Sequence, residues 1–137
     1  MRKRTAHRPA RPGFHSVTPR LVVSDAGALV GFLRAVFGAT GEIHGDRPAE
    51  MRIGDSLLMV TPAGAREAFP GFLYVYVTDA DETHRRAVAA GAETLEPPLD
   101  TPYGDRRAMV KDPWGNVWQI AHVLRAPKTQ RLGGSAE

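Results

Sequence analysis

Val22-Val23-Ser24-Asp25-Ala26 and Tyr76-Val77-Thr78-Asp79-Ala80 are two versions of one phrase, set 54 residues apart. Each opens on β-branched or aromatic residues that suit an extended chain and closes on an Asp able to accept hydrogen bonds from the first free N–H groups of a helix. Each is followed by a similar stop, Phe37-Gly38-Ala39-Thr40 and Ala90-Gly91-Ala92-Glu93, where a glycine can take the backbone that ends a helix. The chain therefore reads as one small fold made of two copies of a module. A duplicated module sets equivalent residues around a shared cleft, so the repeat says which positions to inspect for chemistry.

Working outward from the first copy, residues 18–23 read as a strand. Ala26, Leu29, Val30, Leu33, Val36 and Phe37 then fall at 3- and 4-residue spacings, which gives a helix with one buried stripe. In the second copy Asp79 caps, Glu82 stands three residues on as in a capping box, and Gly91 stops the helix. Short strand signals follow each helix. Residues 49–53 and 56–60 flank Gly54-Asp55, and residues 106–111 and 116–123 flank Asp112-Pro113-Trp114-Gly115, so both pairs read as hairpins. The run Pro97-Pro98-Leu99-Asp100-Thr101-Pro102-Tyr103-Gly104 reads as a long loop. Each module is strand, helix and about three strands: an α+β fold class with the βαβββ pattern twice over.

Bulk properties narrow the function classes. A length of 137 residues with 42% hydrophobic content is enough for one domain with a core. No stretch approaches the ~18 consecutive apolar residues that span a bilayer. The basic N-terminus leads into Pro9, Pro12 and Gly13 and not into an apolar run, so no secretory signal is expected and the expected location is cytoplasmic. The absence of cysteine removes disulfides, thiolate metal sites and a Cys nucleophile. The net charge of +3 divides unevenly: residues 1–13 carry +5, residues 14–126 carry 11 basic and 14 acidic groups, or −3, and the remainder adds +1. A Pro- and Arg-rich tail of this kind suits a solvated, disordered extension. It could touch nucleic acid by counterion release, but no groove-reading motif accompanies it, so nucleic acid is not expected as a partner. The expected organisation is a disordered basic tail over 1–13, a domain over 14–125 with modules at about 16–62 and 70–124, and a flexible tail over 126–137.

The βαβββ repeat, together with Arg52-Ile53-Gly54-Asp55-Ser56-Leu57-Leu58-Met59, Tyr103-Gly104-Asp105-Arg106-Arg107 and Asp112-Pro113-Trp114-Gly115-Asn116-Val117-Trp118-Gln119-Ile120, resembles the vicinal oxygen chelate (VOC) superfamily of glyoxalase/bleomycin resistance protein/dioxygenase type, and within it the PhnB-like branch. The resemblance covers about residues 16–123. It implies a cup-shaped mixed sheet and, in the metalloenzymes of the superfamily, four metal ligands, usually His or Glu, near the start of the first strand and on the last strand of each module. Carried onto this chain, those positions are Thr18, Met59, Phe72 and Gln119. None is a His or a carboxylate, and Met and Phe offer nothing to a hard divalent ion. PhnB-like chains often carry a His two residues before the Glu that stands here as Glu50; here that residue is Pro48.

Strand alternation then gives the lining of the implied cup. Arg20 and Val22 share the side of Thr18, Tyr74 and Tyr76 share that of Phe72, Leu57 joins Met59, and Val117 joins Gln119. For Leu57, Val22 and Val117 packing as core is the simpler reading. For Arg20, Tyr74 and Tyr76 the choice stays open: a buried Arg needs a partner, and tyrosines on a cup wall are natural ligand contacts. Trp118 shares its parity with Ile120 and reads as core, whereas Trp114 at a hairpin turn either is exposed or covers the cup mouth. Tyr103 sits on the long loop, a common place for binding residues. Arg106 and Arg107 either hold an anion or pair with Asp100 and Asp105. The five histidines, His7, His15, His44, His84 and His122, show no metal-binding spacing, and a site assembled from His15, His44 and Glu50 is the remaining metal alternative. No nucleophile elbow or phosphate loop is present.

The expected function is metal-independent binding of a small hydrophobic or aromatic molecule, with Arg20, Met59, Phe72, Tyr74, Tyr76, Tyr103, Trp114 and Gln119 as ligand-binding candidates. No cofactor is expected, no catalytic residue is assigned, and the expected assembly is a homodimer. The alternatives are a cofactor-free isomerase or cyclase and a metal-dependent glyoxalase or dioxygenase, against which stands the lack of a carboxylate at the inferred cup positions.

Overall fold

Asp25 accepts a hydrogen bond from the Ala28 N–H at 3.0 Å, and Asp79 does the same for Glu82 at 3.1 Å, so both repeated phrases turn from strand to helix at their aspartate. A computed structural model describes residues 10–45 and 47–125. The tail expected over 1–13 lies mostly outside these residues, and the tail expected over 126–137 lies wholly outside them. The elements are β1 (Arg20–Val23), α1 (Ala26–Phe37), β2 (Ala49–Ile53), β3 (Ser56–Pro62), β4 (Phe72–Tyr76), α2 (Ala80–Ala89), β5 (Glu93–Asp100), β6 (Asp105–Lys111) and β7 (Val117–Val123). They form two compact units, Met1–Gly71 and Phe72–Glu137, each a helix on a mixed sheet, which is the expected α+β class. Among the described residues no helix is long and apolar enough to cross a membrane.

In the first unit the strand order is β1-β3-β2, with β1 parallel and β2 antiparallel to β3. Period-2 alternation buries Leu21, Val23, Met51, Leu58 and Val60, and α1 contributes Leu29, Val30, Phe32, Leu33 and Val36 to the same core. Each such side chain adds about 1.5–3 kcal/mol when removed from water, more than intrinsic helix propensity supplies. Phe32 was not in the expected stripe, while Ala26 and Phe37, which were, are only half-buried. Two strands follow the helix here, not three. Thr40 makes an isolated bridge to Arg52, with N–H···O distances of 3.1 and 2.8 Å, and the ladder goes no further. The cause is local: Gly41 at φ +128° lies so close to the Glu50 carbonyl that a Cβ would sit 2.2 Å from it, and Gly45 at φ +62° turns the chain again. His44 sits in an isolated bridge to Arg47.

In the second unit the order is β4-β7-β6-β5, with β4 parallel to β7 and the other neighbours antiparallel. Trp118, Ile120, Ala108 and Val110 are fully buried on one face, with Ala80, Thr83 and Ala87 of α2. Polar contacts fix that face as the helix side: the Ala80 N–H donates to His122 Nδ1 at 2.8 Å, and Arg106 donates to Asp81 at 2.8 and 3.0 Å. The Asp112 carboxylate, almost fully buried, accepts from the backbone N–H groups of Trp114 and Asn116, from Asn116 Nδ2 and from Trp118 Nε1, all at 2.9 Å, and so builds the β6–β7 turn.

Two local expectations are corrected. Glu82 does not reach back to close a capping box, because its carboxylate is held by Arg85 and Arg86. The first half of the supposed loop from Pro97 is strand: Glu93–Asp100 pairs with β6, with register shifts between Thr94 and Glu96 and between Glu96 and Leu99, and only residues 101–104 turn. Proline is tolerated there because β5 is an edge strand and needs no complete set of donors.

Candidate functional site

The register of the second sheet sets Phe72, Tyr74 and Tyr76 beside Val117, Gln119 and Ala121, and these beside Lys111, Met109 and Arg107, with Asp105 one step beyond opposite Val123. All of them share the face turned away from α2. Phe72 is 68% exposed and Tyr76 60%, so β4 presents its aromatic side chains to the outside.

Asp105 gathers them. Its side chain is 5% exposed, and its Oδ2 accepts from Tyr74 Oη at 2.6 Å and from Tyr76 Oη at 2.8 Å. The two rings lie 5.4 Å apart at 56°, the tilted geometry that aromatic quadrupoles favour. A turn holds the aspartate in place: Asp105 N donates to Thr101 Oγ1 at 3.0 Å, Thr101 Oγ1 donates to the Asp105 carbonyl at 2.8 Å, and Gly104 at φ +96° closes the loop between them. The same turn sets Tyr103, whose Oη is 3.4 Å from Tyr74 Oη and accepts from Arg107 Nη1 at 3.2 Å. Arg107 also donates to Glu96. Each neutral phenol has one proton to give. Tyr74 and Tyr76 spend theirs on Asp105, so Tyr103 donates to Tyr74, and the bonds run in one direction from Arg107 through Tyr103 and Tyr74 to the carboxylate.

The phenols respond differently. Burial and the hydrogen bond to Asp105 raise the Tyr74 hydroxyl far above its ordinary range. The bond to Asp105, then burial, raises Tyr76. Tyr103 is lowered: once it ionises, the Tyr74 hydroxyl can turn its proton from Asp105 to the phenolate, and the Arg107 guanidinium faces it as well. Among the described residues Asp105 makes no ion pair, since Arg107 is turned to Glu96 and Arg106 points to Asp81 and Asp100 on the other face.

In the first unit Arg20 and Met59 are brought together, with Arg20 Nη2 3.1 Å from Met59 Sδ. Arg20 is exposed, not buried as its alternation partner Val22 is, because it opens β1 at the end of the strand. Met59 also lines an open groove of about 500 Å³ with Arg11, His44, Arg47, Pro48 and Glu50, where Arg11 pairs with Glu50 at 2.7 Å and lies over the Phe14 ring. The implied metal ligands do not fit a divalent ion: Phe72 has no donor atom, and a guanidinium occupies the sulfur of Met59. Among the described residues no three His, Cys, Asp or Glu side chains group closely enough to hold one, so His15, His44 and Glu50 do not assemble.

Of the expected ligand-binding residues, Phe72, Tyr74, Tyr76 and Gln119 share one face, and Tyr103 joins them through Tyr74. Trp114 is half-buried in the turn after β6, at the opposite end of that strand from Tyr103, about 20 Å away along six residues. Arg106 pairs with Asp100 as expected and with Asp81, but Arg107 pairs with Glu96 and not with Asp105. The expectation that this face lacks a carboxylate is overturned by Asp105. Its signal lay in the sequence: Asp105, Arg107 and Met109 alternate on one strand.

The family model described as the Glyoxalase/Bleomycin resistance protein/Dioxygenase superfamily matches residues 13–120. The uncharacterized protein Rv0887c of Mycobacterium tuberculosis is 29% identical over 128 residues, which span 80% of this chain and 75% of that protein. Among solved structures, TioX from Micromonospora sp. ML1 is 28% identical with a TM-score of 0.66, covering 78% of this chain and 97% of that one. A glyoxalase/bleomycin resistance protein/dioxygenase from Nocardioides is 25% identical with a TM-score of 0.60, covering 94% and 93%.

Proposed function

The chain belongs to the Glyoxalase/Bleomycin resistance protein/Dioxygenase superfamily, and from that premise we propose that it binds a small, flat organic molecule on the tyrosine face of β4, β6 and β7, with no divalent metal at the positions of Thr18, Met59, Phe72 and Gln119. One observation carries the reading: three exposed rings of β4 stand on a single sheet face, and a buried carboxylate orders two of them. Aromatic side chains left open yet held in fixed orientation lose little entropy when a ligand stacks on them. Gln119, between Tyr74 and Met109 in the register, adds an amide that can fix the ligand's polar edge. Members of this superfamily commonly bind small molecules and form dimers. The test is a screen of aromatic metabolites and antibiotics by thermal shift, followed by titration of the hits. Phe72→Ala and Tyr76→Leu weaken binding about tenfold while leaving the fold intact, and chelator changes nothing. Binding that disappears with chelator and returns with one divalent ion per chain overturns the reading.

A second reading, a cofactor-free isomerase or cyclase, has Asp105 in its favour, a buried group able to hold a proton beside two phenols. Exchange of solvent deuterium into a bound carbonyl compound, abolished in Asp105→Asn, favours it; binding without exchange favours a carrier.

A further inference from the structure

Asp105 poses an electrostatic problem that its surroundings do not solve. A carboxylate 5% exposed ordinarily has a cation beside it, yet the nearest candidate on its strand, Arg107, is committed to Glu96 and Tyr103. Among the described residues the hydrogen bonds to its carboxylate come from the Tyr74 and Tyr76 hydroxyls alone. Those hydroxyls belong to rings whose faces are open: Tyr76 is 60% exposed and Tyr74 37%. A phenol that donates a short hydrogen bond to an anion takes on some phenolate character, and its ring becomes more electron-rich. Because Tyr74 and Tyr76 have given their protons inward, their oxygens offer a ligand only lone pairs. Carboxylate, ring faces and oxygen lone pairs all favour positive charge.

Resting on the proposed small-molecule site, we infer that the Tyr74–Tyr76 pair backed by Asp105 selects an organic cation, a protonated or quaternary amine carried on an aromatic or apolar body. The cation sits over the two tilted rings, where cation–π attraction and the uncompensated carboxylate act together. An anionic ligand finds no free donor on these two phenols and meets the field of Asp105. Arg107 does not reverse the preference, because Glu96 offsets its charge, and Lys111 stands in the row of Phe72, about 20 Å along β6 from Asp105.

The experiment is an NMR chemical-shift titration of the full chain with three probes that share one ring: benzyltrimethylammonium, benzyl alcohol and benzoate. The expected order is cation first, about tenfold tighter than the alcohol, with benzoate weakest. Asp105→Asn and Tyr76→Leu each reduce that preference to about twofold or less. The second variant keeps the carboxylate and Tyr74, and the spectrum itself reports whether either protein is folded. If all three probes bind with equal affinity and Phe72→Ala weakens all of them, the site exists and charge selection is refuted. If none shifts the resonances of β4 and β6, the small-molecule site falls with it.

Discussion

Alkaline titration of the phenols isolates the Asp105 cluster, because the chain holds three tyrosines and all three belong to it. In an unfolded chain they lose their protons together near pH 10. In the folded protein one does so early: Tyr103, lowered by its contacts with Tyr74 and Arg107, contributes one third of the total phenolate absorbance below that range. The other two thirds are withheld, since burial and the bond to Asp105 raise Tyr74, and the same bond raises Tyr76. The sign for stability follows. A folded-state value raised above the unfolded one means that the neutral phenols contribute stability fully present below about pH 10, and that it drains away as the pH climbs above it. The late two thirds should therefore arrive together with loss of tertiary structure, read by near-ultraviolet circular dichroism in the same cuvette. Tyr74→Phe removes the most strongly raised phenol and makes the alkaline fall in melting temperature shallower. Asp105→Asn removes the acceptor's charge and moves Tyr76 back toward pH 10. A single step of all three tyrosines near pH 10, with circular dichroism unchanged, would refute the hydrogen-bonded arrangement.

Asp112→Asn should be more damaging than most buried polar substitutions. Whichever way the new amide is turned, its NH₂ meets two donors in place of an acceptor, either Asn116 Nδ2 with Trp118 Nε1 or the backbone N–H groups of Trp114 and Asn116. At about 1–3 kcal/mol per lost buried acceptor the cost is about 2–6 kcal/mol by chemical denaturation, and a loss below about 1 kcal/mol would contradict the network. Gly41→Ala should destabilise by well over about 1 kcal/mol, because a Cβ would overlap the Glu50 carbonyl at 2.2 Å in a backbone of φ +128°. An unchanged melting temperature would mean that the β2 carbonyl does not approach so closely.

The helices and hairpins were legible in the sequence because their signals are local. Asp25 and Asp79 cap where they stand, Gly38 takes the left-handed conformation that ends α1, and Gly54-Asp55 joins β2 to β3. Trp118 could be assigned to the core by parity alone. Failures came where a local rule met a tertiary condition. Pro97-Pro98 reads as loop unless the strand is known to lie at a sheet edge. The third strand of the first module shrinks to a bridge because Gly41 must pass the Glu50 carbonyl, a proximity that no spacing encodes. Asp105 does not stand out in the sequence as a site residue, because charge pairing with the adjacent arginines is the ordinary fate of an aspartate in Asp105-Arg106-Arg107. Side-chain alternation sends Arg106 to the helix side and leaves Arg107 to a glutamate on the neighbouring strand. Alternation puts Tyr74 and Tyr76 on one side of β4, but what orders them comes from a strand two places away in the sheet.

The kinked proline segment of β5 bears on how the protein behaves in a crowded solution. An outermost strand with its full row of amide donors is a template on which another chain can crystallise its own backbone, the first step toward fibrous aggregates. Here two consecutive residues carry no amide hydrogen, and the ladder to β6 slips on both sides of Glu96. Successive backbone N–H groups point to opposite sides of a strand, so one of the two prolines removes a donor from the outer side, and an incoming strand would meet an irregular edge missing one of its bonds. The feature that hides β5 from a reading of the sequence is thus one that blunts this edge of the sheet as a template.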